Sequence, residues 1–289
     1  MIPVASGGRR RRIIVAVAVG SLIVAGSVAV GVLASGGLVF GPSYAPGTSI
    51  ELPGGPTSSI SVTGDHLEIV LETSAGADTA TIVVGSDGFR RDGRRSAGTV
   101  GLRLDTASAL QTQPRKLTLV IPERGTLILT IVGGGQLVMD QVWLKELRVT
   151  GVSSSLELDA SKPGSRVDLV QIESAMGGLS AVRLGNLNMA ELVIGNITGR
   201  YDLDLSGSLN RQCEAMLKSV VGSGTLSVPG SMGAQVVVKN IVGSVLSTGF
   251  IDTGGRSYLN RLAQAQVSPQ LVVNVESAIG QIQLMEVRQ

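Results

Sequence analysis

Few side chains in this 289-residue chain have the type and spacing for chemistry. The single histidine, His66, follows Asp65, which is half of an acid–base pair. No second histidine exists to share a zinc ion and no nucleophile motif accompanies it, so an exposed histidine at a strand end is the simpler reading. The single cysteine, Cys213, lies in Arg211-Gln212-Cys213-Glu214. A reactive thiol needs an electropositive, exposed niche, and one neighbouring arginine is thin support for that. Two carboxylate pairs, Glu157 with Asp159 and Asp202 with Asp204, have the two-residue spacing that puts both members on one face of a strand. Paired acids hydrolyse glycosides. Here Leu158 and Leu203 fill the alternate positions, which makes the acids the solvated face of half-buried strands. Gly133-Gly134-Gly135 is followed by Gln136 and lacks the Lys-Ser or Lys-Thr of a phosphate-binding loop. No metal, cofactor or catalytic residue is assigned. The expectation is a protein that is not an enzyme.

One cluster stands out as a contact site. Arg90, Arg91, Arg94 and Arg95 fall within six positions, and arginine forks suit phosphates and carboxylates. They form a candidate contact with an anionic partner such as lipid phosphate or an envelope polymer. Asp87 and Asp92 dilute the charge, and a charged hairpin tip also protects a strand edge.

The elements that would carry these residues are strands. Six stretches share a pattern that opens on an aliphatic residue and closes, with one exception, on glycine. They are Leu129 to Gly134, Val149 to Ser154, Ile172 to Gly177, Ile194 to Gly199, Leu217 to Gly222 and Val238 to Gly243. Their end points lie 20, 23, 22, 23 and 21 residues apart. A seventh copy closes at Gly280 after 37 residues, and Leu71 to Gly76 resembles an eighth. Alternating aliphatic and polar residues follow each closing position. This periodicity predicts an all-β fold, a β-solenoid of about 20–23 residues per coil. The closing residues should line one row. Leu156, Leu158, Leu203, Leu205, Leu226, Val228, Ile282 and Leu284 should point inward. The final strands, 271–275 and 281–287, should close the stack. Between them and the regular copies, Arg256 to Gln266 reads as a short helical turn or a loop.

Composition agrees with strands and turns. Glycine occurs 39 times, and the aromatics are three Phe, three Tyr and one Trp, so Val, Leu and Ile must build the core. The net charge of +2 owes four units to Arg9, Arg10, Arg11 and Arg12. Without them the balance is about −2, which gives no reason to expect a nucleic-acid partner.

Those arginines precede an uncharged run from Ile13 to Phe40. A bilayer core takes about 20 apolar residues as helix, and basic residues on the flank keep that end in the cytoplasm. A cleaved signal peptide is the rival, with Ala34 as its small residue, but its apolar core is usually about 7–15 residues. The expected organisation is a basic cytoplasmic stub (1–12), one N-terminal transmembrane helix anchored in membrane lipid (13–40), a Pro/Gly/Ser linker (41–59) and an extracytoplasmic β-solenoid (60–289).

The stretch from Gly222 to the carboxyl end (VGSGTLSVPGSMGAQVVVKNIVGSVLSTGF, an insert holding Tyr258, then LVVNVESAIGQIQL) resembles the carboxy-terminal domain of LiaF-type membrane proteins, bacterial envelope-stress regulators. It is also similar to the related "putative adhesin" β-solenoids of bacteria. The resemblance implies a membrane-tethered β-solenoid without known catalysis and supplies no catalytic residues. The single span differs from the several spans usual in LiaF-type proteins. The function expected is a membrane-anchored binding or scaffold module at the cell envelope, with an unknown protein or polymer partner. The alternative is a self-associating structural or adhesive protein; a carbohydrate-active β-helix enzyme is the remoter third reading.

Overall fold

Alternation of aliphatic and polar residues drives nearly the whole described chain into strands. In the segment Arg115 to Pro122, Leu117, Leu119 and Ile121 are fully buried while Lys116 is exposed. The structure is a computed structural model and describes residues 40–52, 55–92, 99–104, 113–152, 155–174, 177–265 and 270–287. These belong to one compact unit. The N-terminal strands are β1 (Phe40–Ser43), β2 (Ser49–Glu51), β3 (Thr57–Ser74), β4 (Thr81–Val84), β5 (Phe89–Asp92), β6 (Thr99–Leu104) and β7 (Arg115–Pro122). The central strands are β8 (Thr126–Asp140), β9 (Trp143–Val152), β10 (Leu156–Asp159), β11 (Arg166–Ser174), β12 (Leu179–Val182), β13 (Glu191–Gly195), β14 (Ile197–Asp204), β15 (Cys213–Leu217) and β16 (Val220–Pro229). The C-terminal elements are β17 (Ala234–Thr248), β18 (Phe250–Asp252), β19 (Ser257–Asn260), helix α1 (Arg261–Ala265) and β20 (Leu271–Val287). Most of β1, all of β2 and the start of β3 fall inside the Pro/Gly/Ser-rich stretch 41–59.

Two parallel ladders run the length of the molecule. The first is β3–β8–β9–β11–β13–β15–β20–β17. The second is β3–β8–β10–β12–β14–β16–β20–β17. The same four strands begin and end both. β3, β8, β17 and β20 are 18, 15, 15 and 17 residues long, whereas β10 and β12 have four residues each. The long strands turn the corner without stopping and enter both ladders, so the sheet closes on itself.

This corrects the expected fold. The all-β class stands, but the β-solenoid of about 20–23 residues per coil does not, and the one N-terminal transmembrane helix expected before it is not supported. The strands form a closed 12-strand parallel barrel, with β8 and β20 counted once in each ladder. Among the described residues no helix is long and apolar enough to cross a membrane. Residues 13–39 of the proposed span lie outside the described residues.

Strand order brings a second correction. The last strand, β20, does not close the stack. It inserts between β16 and β17 in the second ladder and between β15 and β17 in the first, which leaves β17 outermost. The 37-residue interval before the last glycine is the return path: β17 ends, β18 and β19 form an antiparallel pair, α1 follows, and β20 then enters alongside β17.

The corner is a row of glycines. Gly199, Gly222, Gly280 and Gly243 stand in mutual register, and the carbonyl of Gly177 abuts Gly199. At Gly280, with φ +128°, an added Cβ would sit 1.8 Å from the Gly222 carbonyl oxygen. No other residue can take that place without moving the neighbouring strand. At the N-terminal end Gly133 pairs with Gly64; Gly134, the expected member, lies beside the row, and Ser154 is outside the described residues. Inside, all eight leucine, valine and isoleucine positions expected to point inward are at most 2% exposed.

Candidate functional site

The candidate residues for chemistry are placed on separate strands and largely occupied with the backbone. Asp65 and His66 form the irregularity where β3 turns between Gly64 and Leu67. The Asp65 carboxylate accepts the Gly134 N–H at 3.2 Å, and His66 is exposed with φ 56°. Cys213 is 1% exposed in β15, and burial pushes its thiol up to about 12. Asp159 accepts the Ser161 N–H at 2.9 Å; Asp204 accepts the N–H groups of Ser206 and Arg183 at 2.8 and 3.3 Å. These are turn braces of the kind short acidic side chains make. Asp168 is held below the usual carboxylate range, first by the hydrogen bond from Arg211 at 2.7 Å.

Register does gather some of these groups. One outward column of the second ladder reads Glu68, Gln136, Glu157, Ser180, Asp202, Thr225 and Gln283 across successive strands. Glu157 and Asp202 thus share a column with Ser180 between them. The column is polar until its last member, Leu246 of β17, which pairs with Gln283 and is 52% exposed.

Of the arginine cluster, Arg90 and Arg91 lie in β5, and Arg94 and Arg95 lie outside the described residues. As neighbours on a strand, Arg90 and Arg91 point to opposite faces. Trp143 is half exposed at the start of β9, its indole N–H donating to the Gly164 carbonyl at 3.0 Å beside Asp140 and its ion-pair partner Lys162.

The feature sequence reasoning missed is the edge of β17. Its first half is covered: Gln235, Val236 and Val237 pair with β19, which pairs with β18. Its second half, Ile241 to Thr248, pairs with β20 on one side and, among the described residues, with no strand on the other. This half runs in unbroken register for eight residues, without proline or bulge. Ile241 and Val245 lean on the core, while Val242 (57% exposed) and Leu246 face outward. From Asn240 to Ile251 the chain carries no charged residue, and that run holds three of the six large exposed apolar side chains found among the described residues, Val242, Leu246 and Ile251. The uncharged run was visible in the sequence; its position at the outside of the barrel was not.

No protein-family profile matches the chain, and no curated protein does. Among solved structures, a "putative cell adhesion protein" from Clostridium sporogenes is similar at 15% identity and a TM-score of 0.35, over 85% of this chain and all of that one. A "putative adhesin" from Bacteroides fragilis is similar at 12% identity and a TM-score of 0.41, over 82% of this chain and 96% of that one. Both names belong to the adhesin side of the resemblance; neither names a LiaF-type protein. Likeness this distant leaves function to be argued from the chain's own residues.

Proposed function

We propose that this chain is a structural or adhesive β module that self-associates through the open edge of β17. The observation that carries the reading is the eight-residue strand edge at Ile241 to Thr248, uncharged, carrying the exposed Val242 and Leu246, and without a partner strand on its outer side among the described residues. An exposed strand edge presents unpaired N–H and C=O groups that template another strand. Natural sheets protect such edges with lysine, proline, bulges or very short strands; this one has none of them. A neutral edge suits another copy of itself, because identical charged edges would repel. The third reading, a carbohydrate-active enzyme, draws no support from an acid column whose neighbours are Ser180 and Thr225.

Sedimentation of the full chain across a hundredfold concentration range tests this. Reversible assembly that grows with concentration is the expected result. A monomer throughout would refute self-association.

A further inference from the structure

We infer that the assembly closes as a two-fold pair, with β17 of one copy antiparallel to β17 of a second, rather than growing end to end. This rests on the self-association proposed above and specifies its geometry.

The argument comes from what each end of the barrel leaves bare. At the N-terminal end both halves of β3 are covered. The first half pairs with β6, then β5, then β1. The second half pairs with β7, then β4, then β2. The outermost strands there, β1 and β2, have four and three residues. At the C-terminal end β18, also outermost, has three. Such short edges offer little to a partner strand. Head-to-tail stacking needs two complementary open edges, one at each end, and would make an open filament. Only one long open edge is present among the described residues. A surface that finds its complement in itself gives a two-fold, closed dimer.

Direction follows from the faces. A two-fold axis perpendicular to the sheet keeps the outer face of both copies outward and makes the strands antiparallel. Ser244, Leu246 and Thr248 of both copies, which follow the Gly243 corner, then share one surface, and the leaning side of Val245 continues inward. An axis along the strand would give parallel pairing but would turn the core side of one copy outward. Once paired, both edges are consumed and, among the described residues, no long ladder end remains to recruit a third copy.

The test uses the full chain in two measurements. Sedimentation should show monomer and dimer only, with the double variant Val242→Lys/Leu246→Lys raising the midpoint concentration roughly tenfold, since pairing would bring the like charges of the two copies together along the shared edge. In a Cys213→Ser background, Ser244→Cys should form a disulfide-linked dimer with itself, whereas Thr118→Cys in β7 should not. A ladder of trimers and higher species, with Ser244→Cys failing to link to itself, would overturn the two-fold geometry and leave self-association standing. Monomer at all concentrations would overturn both, including the case where residues of the same chain outside the described set already cover the edge. A dimer indifferent to the lysines would also overturn both, because it would use another surface.

Discussion

The two ends of this barrel solve one problem differently. Each ends in a long strand that would otherwise show its backbone to solvent. At the N-terminal end β3 is buried under six further strands, and the cap is anchored by Phe89, Ile82 and Val84, all fully buried. At the C-terminal end β19 and β18 cover only the first half of β17. That cap adds polar contacts to apolar ones, with Tyr258 in the core and Phe250 packed against it. Asn260 is fully buried, its carbonyl oxygen accepting the N–H groups of Ala234 and Ala263, both at 2.9 Å, and its amide donating to the Met232 carbonyl at 2.8 Å. The difference teaches that an open edge is not a general cost of this architecture. The same chain covers one end completely, so the bare half of β17 is a local property of residues 241–248.

The largest change should come from loosening the apolar cap. Phe89→Ala removes a fully buried ring from β5 and should cost about 3–5 kcal/mol. Denaturant midpoints with an unchanged slope would measure it. The variant should also alter assembly. With β5 weakened, β6 becomes a second open edge beyond β3, and the closed dimer should give way to larger species. A variant that loses stability but still stops at the dimer would show that the N-terminal cap does not govern closure.

Next in size is the polar cap. Asn260→Ala leaves the Ala234 N–H and the Met232 carbonyl buried without their partner, at about 1–3 kcal/mol for each unsatisfied group. Hydrogen exchange should then quicken in β18, β19 and α1 while β4 to β7 keep their protection. Uniform loss across both ends would mean that the caps are not separate units.

Much of this was legible in the sequence, for a physical reason. A period of two fixes which side chains point inward, so Leu203, Leu226 and Leu284 were placed correctly from alternation alone. The glycine row was legible too, because a close strand crossing tolerates no side chain. The interval between glycines, however, measures the length of a circuit and not which neighbour the circuit meets. Hence the insertion of β20 beside β17 was invisible, and with it the identity of the open edge. Closure into a barrel was hidden likewise, since it depends on β3, β8, β17 and β20 running through the corner where shorter strands stop. For the arginines, alternation already implied that Arg90 and Arg91 diverge; charge counting had grouped them.

The body between the ends should respond to alkali before either cap does. Burial pushes the Cys213 thiol and the Tyr201 phenol each up to about 12, against 9.0 and 10.0 ordinarily. Both groups are neutral when protonated. Below the unfolded values the stabilisation from keeping them buried is complete, and it is lost as pH climbs from about 9 through about 12, since the unfolded chain ionises first. Denaturant midpoints should be level from pH 7 to 8.5 and then fall. Cys213→Ala should start from a lower midpoint and fall less steeply. A parallel decline in both proteins would remove the thiol from the account and leave Tyr201.

The smallest expected effect on the fold separates exposure from openness. Val221 is 39% exposed and Leu246 is 52% exposed, yet their strands differ. Val221 sits in β16, paired with β14 on one side and β20 on the other. Leu246 sits on β17 with no partner strand on one side among the described residues. Either residue changed to lysine should alter monomer stability by no more than about 0.5 kcal/mol, as expected at exposed positions. Their effects on assembly should diverge. Leu246→Lys places a charge where the second copy must approach, and Val221→Lys leaves that edge unchanged, so only the first should shift the dimer midpoint. If both shift it equally, scattered apolar exposure drives association and the open edge has no special part. If only Val221→Lys acts, the contact lies on the outer face of the second ladder and the β17 edge is not where copies meet.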